Sequence, residues 1–134
     1  MSREKVSRKL LTYQAGIPRK RGEGLRVGAV RFLPRGVRKE DYARLDYFDV
    51  WLQILAPSQK LLGWLREREW TPQIGKQFFD RYKRELLNST DSRQVIQMLS
   101  ELSKRTPISI GCYCEDETRC HRHILYQVIQ AAGK

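Results

Sequence analysis

Thiol and imidazole side chains in this sequence are confined to one short segment. All three cysteines and both histidines of the 134-residue chain fall within twelve residues, at Cys112, Cys114, Cys120, His121 and His123. These side chains are the ones that bind metals, act as nucleophiles or exchange protons near neutral pH. This segment is therefore the first candidate for chemistry.

Cys120, His121 and Arg122 stand where the last predicted helix begins. A helix N-terminus offers unpaired backbone N–H groups and a partial positive charge, so it binds anions and lowers the pKa of a nearby thiol. Two functions fit this arrangement. Arg122 could hold a phosphate or carboxylate, or Cys120 could act as a nucleophile with His121 as the acid and base.

A zinc site is the rival interpretation of the same segment. Three cysteines and one of the two histidines could supply four ligands. Structural zinc sites, however, more often use two cysteine pairs separated by a dozen or more residues, and Cys112 shares a strand face with two isoleucines. We therefore expect no metal and no cofactor; if that is wrong, the ligands are Cys112, Cys114, Cys120 and His123. A Cys114–Cys120 disulfide is also sterically conceivable.

A second group of cationic side chains, Arg31 and Arg35, follows the second predicted strand. If that strand and the last strand are parallel neighbours, both arginines emerge beside Arg122 and complete an anion site. If the two strands are antiparallel, the arginines and the Cys-His-Arg segment lie apart. Both arrangements remain open from the sequence.

The elements that must position these residues form a β, β, several α, β, α order. Strands are predicted over residues 9–15, 25–33 and 107–114, from apolar runs bounded by Gly and Pro. The sequence thus predicts a single α/β domain with a small sheet of about three strands and helices packed around it. This domain spans residues 9–134, and residues 1–8 are predicted to be a loose basic arm.

Helices are predicted from apolar spacing and from capping residues. Apolar residues at positions 45, 48, 52 and 55 recur at helical steps and predict a helix that ends at Pro57. Ser58 and the Thr71-Pro72 pair can each cap the start of a further helix. Another helix is expected to open at Thr90-Asp91, and the last near Cys120.

Charge is distributed unevenly along the chain. The net charge is +11, and residues 1–39 hold 12 Lys and Arg against 2 Glu. Such a concentration favours an anionic partner, either a small molecule or a nucleic acid. Three clustered cysteines are too few for a secreted disulfide framework, and no run reaches the ~18 apolar residues of a membrane span. We therefore expect a cytoplasmic protein without a membrane partner; its oligomeric state is left open.

Three blocks in the sequence resemble a known family. They are Arg31-Phe-Leu-Pro-Arg-Gly-Val-Arg-Lys-Glu-Asp41, Leu55-Ala-Pro-Ser58 and Phe78-Phe-Asp-Arg-Tyr-Lys-Arg-Glu-Leu86. Together with Cys120-His-Arg122 after a terminal strand, they resemble domain-of-unknown-function family 488, a group of small bacterial and archaeal proteins. The resemblance runs from about residue 9 to the C-terminus. Val30 and Leu33 depart from it, because the shorter branch of that family commonly has Asp and Trp at these positions.

The resemblance implies a compact α/β domain and directs attention to five residues, Arg31, Arg35, Cys120, His121 and Arg122. It supplies no reaction. The function expected from all of these observations is binding of a phosphate-bearing or other anionic ligand in an arginine-rich pocket beside the Cys-His-Arg motif. The alternatives are a thiol- and histidine-assisted enzyme on an anionic substrate, a nucleic-acid-binding module and a structural zinc domain.

Overall fold

Four short parallel strands form the sheet of this protein. The computed structural model describes residues 9–133. The sheet order is β1-β4-β2-β3, so that β4 is hydrogen-bonded to both β1 and β2. The strands are β1 (Leu10–Gln14), β2 (Leu25–Gly28), β3 (Val50–Trp51) and β4 (Ile108–Cys112). The predicted α/β class is confirmed, with one two-residue strand more than the three expected.

Four α-helices follow the order that the capping residues predict. They are α1 (Gln59–Arg66), α2 (Pro72–Asn88), α3 (Thr90–Ser103) and α4 (Arg122–Ala132). The side chains of Ser58 and Thr71 each accept the backbone N–H three residues on, which satisfies a donor that the first helical turn leaves unpaired. The cap of α3 is Ser89, one residue before the expected position. Among residues 9–133, no helix is both long and apolar enough to cross a membrane.

The helix predicted between residues 45 and 55 is wrong. This region contains two 3₁₀ turns, Lys39–Asp41 and Gln53–Leu55, with β3 between them. Asp46 has a φ of 69°, which a helix does not tolerate, and the Trp51 indole donates to the Val30 carbonyl beside the sheet. Instead of lining a helix, Phe48 packs over Gly28, whereas Leu52 and Leu55 pack into the core on the helical side. The second strand is also shorter than predicted, since it ends at Gly28.

The main core lies between one face of the sheet and the helices. The alternate side chains of the strands point to opposite faces, and the fully buried strand residues on the helical side, Leu10, Val27, Ile108 and Ile110, are apolar. The buried residues of this core come from all three longer strands and from α2, α3 and α4, and include Leu10, Val27, Ala29, Ile108, Ile110, Phe78, Tyr82, Leu86, Ile96, Leu99, Leu125, Val128 and Ile129. Burial of this set stabilises the arrangement of the sheet edge described below.

The opposite face of the sheet is packed by two aromatic rings over two glycines. A Cβ atom at Gly28 would collide with the Phe48 ring, and one at Gly111 would collide with the Tyr13 ring. Glycine is therefore required at both positions because the rings lie directly against the strand backbone. This packing brings the loop that contains Phe48 close to the ends of β2 and β4.

We expect Gly111→Ala to lower the free energy of unfolding by about 1–3 kcal/mol, because the added methyl group must displace the Tyr13 ring. Gly63→Ala is the matched control. The nearest atom to a Cβ at Gly63, within α1, would be Arg66 Nη2 at 3.9 Å, so alanine should raise stability by up to about 1 kcal/mol. Urea denaturation of the two variants measures both values, and equal effects would show that the ring contact is unimportant.

A buried ion pair lies on this same face. Arg26 is 1 % exposed and Glu23 is 6 % exposed, and Arg26 Nε lies 2.6 Å from a Glu23 carboxylate oxygen. The guanidinium also lies 4.2 Å from the centre of the Tyr13 ring. The backbone carbonyl of Glu23 accepts the Ser109 hydroxyl, which ties the pair to β4. This ion pair was not predicted from the sequence.

Candidate functional site

The carboxyl ends of β2 and β4 meet at one edge of the sheet. The two strands are parallel neighbours with Gly28 beside Gly111, and the Ala29 N–H donates to the Gly111 carbonyl. The parallel arrangement, one of the two that the sequence left open, is therefore the observed one. The N-terminus of α4 lies at this edge, since His121, the residue before the helix, contacts the Ala29 carbonyl just after β2. Ligands of open α/β sheets bind at such an edge.

His121 connects the start of α4 to the end of β2. Its Nε2 lies 2.6 Å from the Ala29 carbonyl oxygen. Because a carbonyl oxygen only accepts, Nε2 carries the proton and Nδ1 presents a lone pair. Burial, with a smaller contribution from the Arg122 charge, lowers the pKa of His121 to about 4 although the bond to Ala29 opposes this shift. The imidazole is therefore neutral at physiological pH.

The Nδ1 atom of His121 faces a buried pair of cysteines. It lies 3.9 Å from Cys120 Sγ, and Cys120 is joined to Cys112 by a disulfide bond. The Cα atoms of the two cysteines are 7.6 Å apart, and their side chains are at most 2 % exposed. The structure therefore corrects the Cys114–Cys120 pairing: Cys112 is the partner of Cys120. Cys114 lies beyond the end of β4, in the exposed turn, with a free thiol.

The donor atoms of Cys112, Cys120 and His121 all lie within 4.8 Å of one another. The alternative ligand set from the sequence is different, because it contains Cys114 and His123. The structure places Cys114 at the surface. His123 Nδ1 instead lies 2.6 Å from the Cys120 carbonyl, and its ring packs against Phe79. Whether His121 or His123 points inward depends on the residue at which α4 begins. The sequence predicts that start only as near Cys120, whereas the helix begins at Arg122.

Arg122 is buried beside this group. Its side chain donates from Nη1 to the Cys114 carbonyl at 2.7 Å and to Cys112 Sγ at 3.4 Å, while the residue is only 4 % exposed. Among residues 9–133, its Nε–H has no hydrogen-bond partner. In the part of the chain that the structure describes, no carboxylate lies within ion-pair distance of Arg122. A buried cation with an unused donor is thus present at the N-terminus of α4.

Arg31 and Arg35 lie beyond the end of β2 and have different surroundings. Arg31 donates from Nε to the Pro57 carbonyl at 3.0 Å and from Nη2 to the Ala56 carbonyl at 3.1 Å. Two of its five N–H groups are thereby used and three remain. Arg35 is exposed beside Gly36, whose φ is +73°. No contact in the described part of the chain joins either guanidinium to Arg122.

A family model described as the active DUF488-N3 subclade, named DUF488-N3a, matches residues 10–133. This chain belongs to the DUF488 family. The match spans nearly the whole chain and confirms the resemblance seen in the three sequence blocks. No curated protein and no solved structure gives a significant match.

In this DUF488 chain, the Leu55-Ala-Pro-Ser58 block is held by α2. The buried Tyr82 hydroxyl donates to the Leu55 carbonyl at 2.6 Å, and Glu85 accepts both the backbone N–H and the hydroxyl of Ser58. The Tyr82 ring also contacts the His121 ring. In the sequence, Tyr82 was singled out only as part of the Phe78–Leu86 block of the family resemblance. Its hydroxyl was the available signal, because a buried phenol needs a hydrogen-bond acceptor.

Proposed function

We propose that this DUF488 protein binds a phosphate-bearing or other anionic ligand where α4 begins. Arg122 is the central residue of the site, with Arg31 and Arg35 at its margin. One observation carries the proposal: the Arg122 guanidinium is buried, and its Nε–H has no partner in the part of the chain that the structure describes. A buried donor that lacks an acceptor is costly, and an anionic oxygen satisfies both the hydrogen bond and the charge.

The helix N-terminus strengthens this interaction. The first backbone N–H groups of α4 have no acceptor within the helix, and the aligned peptide dipoles place partial positive charge there. The charge of Arg122 adds to that field. Its partners named above are a carbonyl and a sulfur, so the positive charge is solvated without being neutralised.

Arg31 and Arg35 support the same ligand class from the other strand. The two carbonyl contacts of Arg31 hold its guanidinium in a fixed orientation, and its remaining N–H groups can donate. Arg35 lies in an exposed turn and can approach a ligand from solvent. We propose that these arginines bind the outer oxygens of a phosphate group.

The description of the subclade as active supports an intact site in this chain. The anionic ligand would then be a substrate, which Cys120 and His121 adjoin. A cytoplasmic location accompanies the proposal, since the exposed thiol of Cys114 is preserved best in a reducing compartment.

Pyrophosphate is a suitable probe of the site. In a titration at low ionic strength, we expect the amide resonances of the first turn of α4 to shift. Arg122→Gln should weaken binding at least about tenfold, since hydrogen bonds to charged groups are among the strong ones. Arg35→Gln should weaken it less, because the side chain is exposed.

Arg105→Gln is the matched control for the titration. It removes the same charge from an exposed position just before β4, at the opposite edge of the parallel sheet. We expect pyrophosphate affinity to remain close to that of the unaltered protein. Equal losses in Arg35→Gln and Arg105→Gln would indicate a response to net charge alone, and the proposed site would be rejected.

A further inference from the structure

We propose that, once a thiol reductant has reduced the Cys112–Cys120 disulfide to two thiols, Cys112, Cys120 and His121 together bind a thiophilic divalent cation, with Zn²⁺ the best match to their chemistry. Two sulfurs and one imidazole nitrogen are the donors that Zn²⁺ prefers. All three residues are buried, and their donor atoms lie within 4.8 Å of one another. This inference is separate from the anion site, because it concerns the sulfurs and the imidazole.

The backbone spacing of the two cysteines favours a shared ion. Their Cα atoms are 7.6 Å apart. Most disulfides join Cα atoms about 4.4–6.8 Å apart, so this spacing is wide for one. In the reduced chain, a zinc ion about 2.3 Å from each sulfur extends the link between the two side chains and suits the wider spacing.

The imidazole is already oriented as a ligand. The Nε2–H of His121 donates to the Ala29 carbonyl, which leaves the Nδ1 lone pair towards Cys120 Sγ at 3.9 Å. Metal-binding histidines almost always donate their other ring N–H to a carbonyl or carboxylate in this way. The bond to Ala29 therefore fixes both the tautomer and the ring orientation that a metal requires.

The charges around the group are compatible with a bound dication. Two thiolates and one neutral imidazole balance the charge of Zn²⁺. The Arg122 guanidinium donates to Cys112 Sγ at 3.4 Å, and this contact stabilises the thiolate form. Three protein donors leave one position of a tetrahedral ion for solvent or another ligand, which is the pattern of an open zinc site.

Metal analysis tests the proposal on the full chain, produced without a metal-affinity tag, reduced with a thiol reductant that is then removed, and supplied with zinc. We expect about one zinc ion per chain. Replacement by Co²⁺ should produce the intense near-ultraviolet absorption of thiolate–cobalt bonds and the visible bands of a tetrahedral ion. This spectrum is recorded on the unaltered protein, so it does not depend on a variant that folds.

Cys120→Ser should lose the zinc and the cobalt bands, and Cys114→Ser is the matched control that should retain both, because Cys114 is an exposed free thiol.

Intact mass distinguishes the zinc-bound chain from the chain with a Cys112–Cys120 disulfide. A chain lighter by two hydrogens, with zinc content far below one per chain, would establish a Cys112–Cys120 disulfide and overturn the metal site. Retention of zinc in Cys120→Ser would overturn it as well. Pyrophosphate affinity is a separate readout, so failure of one proposal does not entail failure of the other.

Discussion

Arg26→Met is expected to lower the free energy of unfolding by about 3–5 kcal/mol at neutral pH. Arg26 is almost fully buried and binds Glu23, the Asp46 carbonyl and the face of the Tyr13 ring. Methionine fills part of the space but leaves the Glu23 carboxylate without its cation. The cost arises mainly from this uncompensated buried charge and much less from lost packing.

The pH dependence identifies the source of that loss. Burial opposes ionisation of Glu23, but hydrogen bonds from Arg26 and from the Lys20 N–H, with the Arg26 charge, set its folded pKa below the ordinary value. In the unaltered protein this contribution is present above the unfolded-state pKa and is lost as the pH falls through the folded pKa. Without Arg26, burial raises the pKa of Glu23, so acidification neutralises the unpaired charge. The difference between variant and parent should therefore shrink between pH 7 and pH 4.

Urea denaturation at both pH values measures this difference. The control is the double variant Arg26→Met with Glu23→Gln, which removes both charges and should regain a large part of the lost stability. An equal loss at pH 7 and pH 4, with no recovery in the double variant, would show that the ion pair is not responsible.

Tyr82→Ala is expected to cost about 3–5 kcal/mol, as other large-to-small substitutions in a core do. Tyr82 lies on α2, and its ring is completely buried and contacts the His121 ring. Its hydroxyl donates to the Leu55 carbonyl. Tyr82→Phe keeps the ring and removes only the hydroxyl. Its cost should be about 1–3 kcal/mol, because the buried Leu55 carbonyl loses its donor.

Tyr126→Phe provides the comparison for the hydroxyl. Tyr126 is partly buried, and its hydroxyl accepts from the Gln130 side chain four residues along α4. We expect a change within about 0.5 kcal/mol for this exchange. Thermal or urea denaturation of both Phe variants gives the two values, and similar values would show that the bond to Leu55 adds no stability.

Local signals predicted most of the elements but fewer of the contacts. Ser58 and Thr71 cap helices where expected, because a cap depends only on the side chain and the next three residues. The helix predicted from the apolar spacing around Phe48 is wrong. An aromatic ring that covers Gly28 and an apolar residue on a helix face give similar patterns in the sequence. Tertiary packing decided between them.

The sequence identified the segment that contains the candidate site, but not which of its side chains contact one another. The Cys-His-Arg residues were recognised from their types, and the N-terminus of α4 lies where the sequence placed it, to within two residues. Which cysteine meets Cys120 depends on the end of β4, and which histidine turns inward depends on the first turn of α4. The Arg26–Glu23 ion pair could not be predicted from the sequence, because it depends on the conformation of the loop before β2.

The strand order has a consequence for synthesis on the ribosome. β1 is hydrogen-bonded to β4 alone, and β4 also separates β1 from β2. The first strand therefore emerges almost a hundred residues before its partner is translated. Until then the nascent chain can form α1, α2 and α3 but not the central sheet, because such non-local pairing must await the distant strand. The Cys-His-Arg segment comes shortly after β4 in the chain, so the sheet and the site are completed almost together.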